Sequence, residues 1–230
     1  MAYSEVEMQR TKTKEDIAKI KENMEYELRG IFPTPIYSIR RESNLIPEEE
    51  EDIAKIIEEG MYKNMGNFSS FNSYIFNDNL KSIEHFCEQQ IKIYVEKVIA
   101  PKEELGFYIT QSWLNVINPG GYHHTHYHPN SIISGVFYIA TEENDNVSFG
   151  DPPPKMRDWF SCEKKDINIW NSVNCGFSIH DNELFLFPSS LNHGVEANKK
   201  ATKDRISLAF NVFAKGPFGV QSDKTELILK

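Results

Sequence analysis

The chain has little with which to cross-link itself: three cysteines in 230 residues, at positions 87, 162 and 175, with no CxxC spacing. An odd, widely spaced set excludes a disulfide framework and is the usage of a reducing compartment, with thiols as ordinary core or surface residues. Basic blocks are missing too. A formal charge of −9 leaves no cluster of lysines and arginines to neutralise phosphates, so nucleic acid is not expected as a partner. No apolar run approaches the ~20 residues of a membrane span, and the polar first residues do not read as a secretory signal. The expected address is therefore cytoplasmic, with no membrane association. Internal repeats and low-complexity tracts are also absent. What is there is apolar and aromatic material, 40% and 12% of the chain, which is ample for a packed core. Single all-β barrels often run to this length.

Helical patterning is confined to the first hundred residues. Residues 1–30 carry Ile17, Ile20, Met24 and Leu28 at helical spacing, which reads as an amphipathic N-terminal extension ending at Gly30. Ile31 to Ile39 reads as a short strand with prolines near its start, an edge position. Pro47 to Met61 opens with a proline and acids, both favourable at a helix N-terminus, and buries Ile53, Ile56 and Ile57. Ser69 to Phe76 resembles a strand. Ser82 to Val98 reads as a second long helix, and helices so placed back a sheet. From Phe107 the pattern changes to strands at Phe107–Asn118, Ser131–Ala140, Glu183–Phe187 and Arg205–Phe213. Residues 145–182 are long and poorly patterned, with Trp159 and Trp170 inside, and read as a lid-like insertion. The expectation is one domain over 31–230, mainly β, in which 31–105 supply helical support to an antiparallel barrel.

Four of the seven histidines fall between positions 123 and 128. On an extended backbone His124, His126 and His128 leave one face and His123 the other. An imidazole pair at i and i+2 before a buried strand, with His193 alone far downstream after LFLFPSSLN, suits one metal ion. His85 and His180 carry no such context. On the last strand Arg205, Ser207, Ala209 and Asn211 share a face, which points to a polar barrel interior. An inward arginine must be paired, and a ligand carboxylate is a natural partner. Trp113, Asn115 and Tyr122 could line the mouth of such a cavity.

Four segments, IFPTPIY, HPNSIISGVFYI, LFLFPSSLNHGV and DRISLAFN, together resemble a group within the iron(II)- and 2-oxoglutarate-dependent dioxygenases. The resemblance covers roughly residues 31–218. It implies a double-stranded β-helix, a cupin-like jelly-roll barrel, backed by helices. It also implies a dioxygenase that takes Fe(II), O2 and 2-oxoglutarate, and hydroxylates a substrate with release of succinate and CO2. Position by position, His126 matches the first metal ligand and His193 the distal one. Arg205 with Ser207 matches the pair that grips the far carboxylate of 2-oxoglutarate, and Tyr138 matches an inward tyrosine supporting it. Asn115 and Asn211 share inward parity and join the co-substrate side of the expected site.

The family pattern wants an acid where this chain has His128. The expected set is His126, His128 and His193, with His124 and His126 as the alternative pair. Two other readings compete: a three-histidine cupin dioxygenase that does not use 2-oxoglutarate, and a metal-binding module without turnover. Neither has need of an arginine paced to a dicarboxylate at position 205. The primary substrate is not legible. A homodimer is an option, since jelly-roll edges and the first helix both offer pairing surfaces.

Overall fold

A computed structural model describes residues 33–102, 105–150, 163, 165–168 and 171–230. The expected N-terminal helix, Trp159, Trp170 and Cys162 lie outside the described residues.

Two helices sit where their patterning places them. α1 (Pro47–Glu59) begins at a proline with Glu48, Glu49 and Glu50 in its first turn, and stops at Gly60, whose φ of 124° a side chain would resist. α2 (Lys81–Tyr94) continues as a wider π turn over Val95–Ile99. Glu49 closes the start of α1 by accepting from the Ile46 N–H at 3.0 Å. The same carboxylate, 1% exposed, takes two bonds from Arg41 at 2.7 and 2.9 Å and one from the Ser82 hydroxyl at 2.5 Å on α2. Burial alone would raise its pKa, but the bonds from Arg41, Ser82 and Ile46 outweigh it and hold the carboxyl below its usual range. Glu49→Ala strands the Arg41 guanidinium and should cost about 3–5 kcal/mol in urea denaturation. Because the folded value lies below the unfolded ~4.3, the carboxylate's contribution is complete above that pH. It is lost as pH falls through the folded value, and the variant should lose this acid-side dependence.

Among the described residues twelve strands follow the helical part or frame it: β1 (Tyr37–Arg40), β2 (Met61–Lys63), β3 (Phe68–Ser70), β4 (Gly106–Ile117), β5 (His123–His126), β6 (Ile133–Ala140), β7 (Asn146–Gly150), β8 (Asn174–Ser178), β9 (Glu183–Pro188), β10 (Asn192–Val195), β11 (Arg205–Phe218) and β12 (Leu227–Leu229). They pair antiparallel into two sheets. The larger runs β1-β9-β6-β11-β4-β3-β2 with β12 on β11, and the smaller runs β5-β10-β7-β8. Strands distant in sequence interleave in both sheets. This is a double-stranded β-helix, as expected.

The large sheet is covered on both faces, which is why its central strands read as nearly unbroken apolar runs. Ile133, Phe137 and Ile139 of β6, Leu184 and Leu186 of β9, and Leu208, Phe210 and Val212 of β11 pack with Ile56 of α1 and Ile83, Cys87 and Ile91 of α2. The alternate residues face the small sheet: Tyr138, Phe185 and Phe187 pack with Val147, Phe149, Ile179 and Leu191. Gly135 interrupts β6 because Phe210 fills its place, where a Cβ would come within 2.1 Å of the ring.

Two expectations need correction. Ser69–Phe76 is a strand only to Ser70; Ile75 and Phe76 anchor the core from a 3-10 turn. Residues 145–182 include β7 and β8, which form half of the small sheet. NVSFG alternates over five residues only, and NCGFS is exposed throughout, so neither short glycine-bearing run stood out from its loop-like surroundings.

Candidate active site

The histidines meet because β5 and β10 pair. His126 and His193 are direct cross-strand partners on the small sheet. His128 follows β5 by two residues, and its N–H donates to the Ser189 carbonyl at 2.9 Å, which pins it beside the end of β9. The ring centroids of His126 and His193 lie 4.4 Å apart, those of His126 and His128 4.9 Å, and those of His128 and His193 5.2 Å. One nitrogen from each of the three falls within 4.8 Å of the others, close enough to hold one ion.

Hydrogen bonds orient two of the rings. His126 Nδ1 lies 2.8 Å from the His124 carbonyl and His193 Nδ1 3.0 Å from the Leu191 carbonyl. A carbonyl only accepts, so both rings carry their proton on Nδ1 and leave the Nε2 lone pair free. Burial, reinforced by neighbouring imidazoles, lowers the pKa of His193 to about 3 and that of His128 to about 4. That of His126 is lowered too, again chiefly by burial. The rings are thus neutral at physiological pH, the form that binds metal.

The structure corrects the parity expected for His123. Register shifts between the His193–His126 and Val195–His123 pairs, so β5 carries an extra residue there. A bulge reverses the alternation upstream of it. His123 therefore lines the cavity, stacked on His126 at 4.6 Å, while His124 lies outside the lining with a buried Nδ1 that has no partner.

Across the cavity stands Arg205 at the start of β11, 5% exposed. Its Nη1 donates to the Asn146 carbonyl at 2.9 Å and its Cζ lies 5.2 Å over the Tyr138 ring. Its Nε is buried with no acceptor, and no carboxylate among the described residues pairs with it. Tyr138 is fully buried, and burial lifts its phenol to about 12. Ser207, Asn115 and Trp113 line the same cavity; Tyr122 does not, being 42% exposed beside Gly66. Asn211 lies behind His128, its amide nitrogen 3.5 Å from Nδ1, instead of on the cavity wall. Two residues missed in the sequence, Asn67 and Ser69, fix Asn115: its Oδ1 accepts from Ser69 at 2.8 Å and from Asn67 at 3.4 Å. Only β3 pairing with β4 reveals them.

The lining contains imidazoles, hydroxyls, amides and a guanidinium but no acid. Such a cavity suits an anion held between a metal and a fixed positive charge. The family model described as "Putative 2OG-Fe(II) oxygenase" matches residues 111–211, from β4 to within β11. Over that stretch, a little under half of the chain, the sequence is similar to the 2OG-Fe(II) oxygenases. No curated protein matches it by sequence.

Solved structures agree on the fold. The carbocyclase SnoK of nogalamycin biosynthesis, described as non-heme and α-ketoglutarate dependent, superposes with a TM-score of 0.53 at 12% identity, covering 92% of this chain and 89% of that one. HygX from Streptomyces hygroscopicus, solved with nickel and 2-oxoglutarate, gives 0.50 at 10% identity over 88% and 87%. A prolyl hydroxylase from Trichoplax adhaerens gives 0.50 at 10% identity over 77% and 83%.

Proposed function

We propose that this chain binds iron(II) through His126, His128 and His193, anchors 2-oxoglutarate on Arg205, and hydroxylates a substrate that enters beside the three imidazoles. The observation that carries the reading is the orphaned, buried Arg205 Nε facing three converging imidazoles across one acid-free cavity. The Tyr138 hydroxyl and, at longer range, the Asp145 carboxylate offset part of the cost of burying this guanidinium, but its Nε is left for an anionic ligand to satisfy. That HygX holds both a metal and 2-oxoglutarate in the same fold supports the assignment.

When bound, iron(II) with 2-oxoglutarate and O2 supplies the oxidising chemistry, releasing succinate and CO2. The chain's own residues do the rest. His126 and His193 from the β5–β10 pair, and His128 from the loop after β5, present neutral nitrogens, so no proton must leave before the ion binds. Arg205 offers a two-pronged donor to the far carboxylate, with Ser207 beside it and the Tyr138 ring holding the guanidinium plane in place. Phe187, Val136 and Val147 close the cavity with apolar surface and keep water out. The enclosed space is about 40 Å3, so a five-carbon diacid enters only as lining side chains move outward.

Three imidazoles leave the ion one positive charge above a set with a carboxylate, which strengthens its hold on anionic ligands. The same trait is shared by three-histidine cupin dioxygenases that need no 2-oxoglutarate, and one titration separates the two. Iron(II)-loaded protein, kept anaerobic, should develop a visible metal-to-ligand charge-transfer band as 2-oxoglutarate is added. Fully metallated protein that stays colourless assigns the site to the other class.

Within this reading a reducing, cytoplasmic compartment fits Cys87 and Cys175, both free thiols. No described helix is long and apolar enough to cross a membrane. A homodimer through the sheet edges would show as twice the monomer mass in light scattering.

A further inference from the structure

His126 and His193 have their tautomers set by backbone carbonyls, whereas His128 has only a side chain behind it. That side chain, Asn211, belongs to a buried polar row that the family resemblance does not describe. Ser134 Oγ lies 3.2 Å from Asn211 Oδ1 and 2.9 Å from Ser189 Oγ. Ser189 Oγ lies 2.7 Å from Ser131 Oγ, and Ser131 Oγ lies 3.1 and 3.3 Å from the carbonyls of Ile133 and Val212. Ser134 and Ser189 are 2% and 1% exposed and Asn211 8%, so water does not substitute for these partners.

Counting protons from the far end gives the row a direction. The two carbonyls can only accept, so the Ser131 hydroxyl donates to them and accepts from Ser189. The single Ser189 proton is then committed to Ser131, and Ser189 accepts from Ser134. The single Ser134 proton is committed in turn, so Ser134 can only accept from Asn211. A carboxamide exchanges its O and N by a half-turn about χ2, and here the amide nitrogen is required on the Ser134 side. That leaves Oδ1 toward His128, where it accepts from Nδ1–H.

We infer that Asn211, oriented by the Ser134–Ser189–Ser131 row, is the positioning residue that holds His128 in the Nδ1–H tautomer and turns its Nε2 lone pair toward His126 and His193. Ser189 acts twice, since its carbonyl also takes the His128 backbone N–H at 2.9 Å. The serine row does for His128 what carbonyls do for the other two rings. With the opposite amide orientation, Nδ2 would donate to Nδ1, the proton would sit on Nε2, and the third lone pair of the cluster would be lost. The inference rests on the reading of His128 as a metal ligand for its purpose, but not for its test.

The test begins on metal-free protein. Long-range 1H–15N correlation of the histidine rings should show His128 protonated on Nδ1 in the wild type. Ser189→Ala frees the Ser134 proton to turn toward Asn211, so it should convert part of the population to the Nε2–H form. A row that merely fills space would leave the ring signals unchanged. Cobalt(II) affinity by chelator competition gives the second readout. Asn211→Leu, of similar volume without an acceptor, should weaken binding about 10–100-fold, as loss of an outer hydrogen-bond partner does elsewhere. Asn211→Asp restores an acceptor and should recover binding, which also separates the effect from misfolding. Wild-type His128 protonated on Nε2, or Asn211→Leu holding cobalt(II) as tightly as the wild type, overturns the inference. Failure of the wild type to bind cobalt(II) at all would sink the metal reading instead, and the ring signals would still decide the row.

Discussion

Arg205→Ala should lose 2-oxoglutarate and keep the metal. The guanidinium is 5% exposed, so any carboxylate it meets is met without competing water, and truncation leaves that carboxylate buried and unpaired. Removing one partner of such a pair costs about 2–5 kcal/mol, which is roughly 30- to 4,000-fold in dissociation constant. Calorimetric titration of 2-oxoglutarate into metal-loaded protein reads it directly. Metal affinity in the same variant should stay at the wild-type level, because the ligand nitrogens come from β5, its downstream loop and β10, whereas the hydrogen bond of Arg205 goes to Asn146 on β7. Arg205→Lys should fall between the two, since an ammonium restores the charge but not the two-pronged geometry. Equal loss of metal and co-substrate in Arg205→Ala would mean that the arginine supports the barrel instead of the ligand. The Asn146 carbonyl, bonded to Nη1, is the contact through which it would do so.

How much of this was legible in the sequence depends on whether a residue's role was set by its own strand or by its neighbour's. Arg205, Ser207 and Asn211 were placed on one face by alternation, and β11 does keep them on the face toward the small sheet. Tyr138 and Asn115 were read the same way, and both line the cavity. His123 was misread because a bulge shifts register between β5 and β10, and a bulge is a property of the pair that no single strand announces. Asn211 was taken for a wall of the cavity, but it stands behind His128, where its amide meets Ser134, its partner on the adjacent β6, which in turn meets Ser189 just past β9. The 3-10 turn at Ile75–Asn77 imitates a strand because both bury aromatic and β-branched residues. Strands β7 and β8 were hidden for the converse reason. Both span five residues only; β7 alternates but buries just Val147 and Phe149, and β8 is solvent-exposed at the edge of the small sheet, so little apolar pattern is required of it.

His193→Ala should abolish specific metal binding. Of the three imidazoles His193 is the most buried, at 6% exposure, and it is the one held by a strand remote in sequence from the other two. Its loss leaves His126 and His128, whose nitrogens belong to one short segment and cannot by themselves enclose an ion. The cost should exceed the 10–100-fold that outer partners of metal ligands carry, and competition with a chelator for cobalt(II) or iron(II) measures it. His124→Ala is the matched control: the same residue type, two positions from His126, yet outside the cavity lining, and its removal should leave affinity unchanged. The pair also decides between the two registers that alternation allowed. A site built on His124 and His126 would lose its ion in the control, whereas the ring nitrogens that gather within 4.8 Å belong to 126, 128 and 193. Folding is not expected to mask the result. His193 packs on Phe187 at 4.6 Å between ring centroids, and trimming it opens a cavity that begins next to one already there. Destabilisation should stay near the 2–5 kcal/mol of large-to-small core changes, and thermal melts of the metal-free variant check that the chain remains folded while the ion is gone.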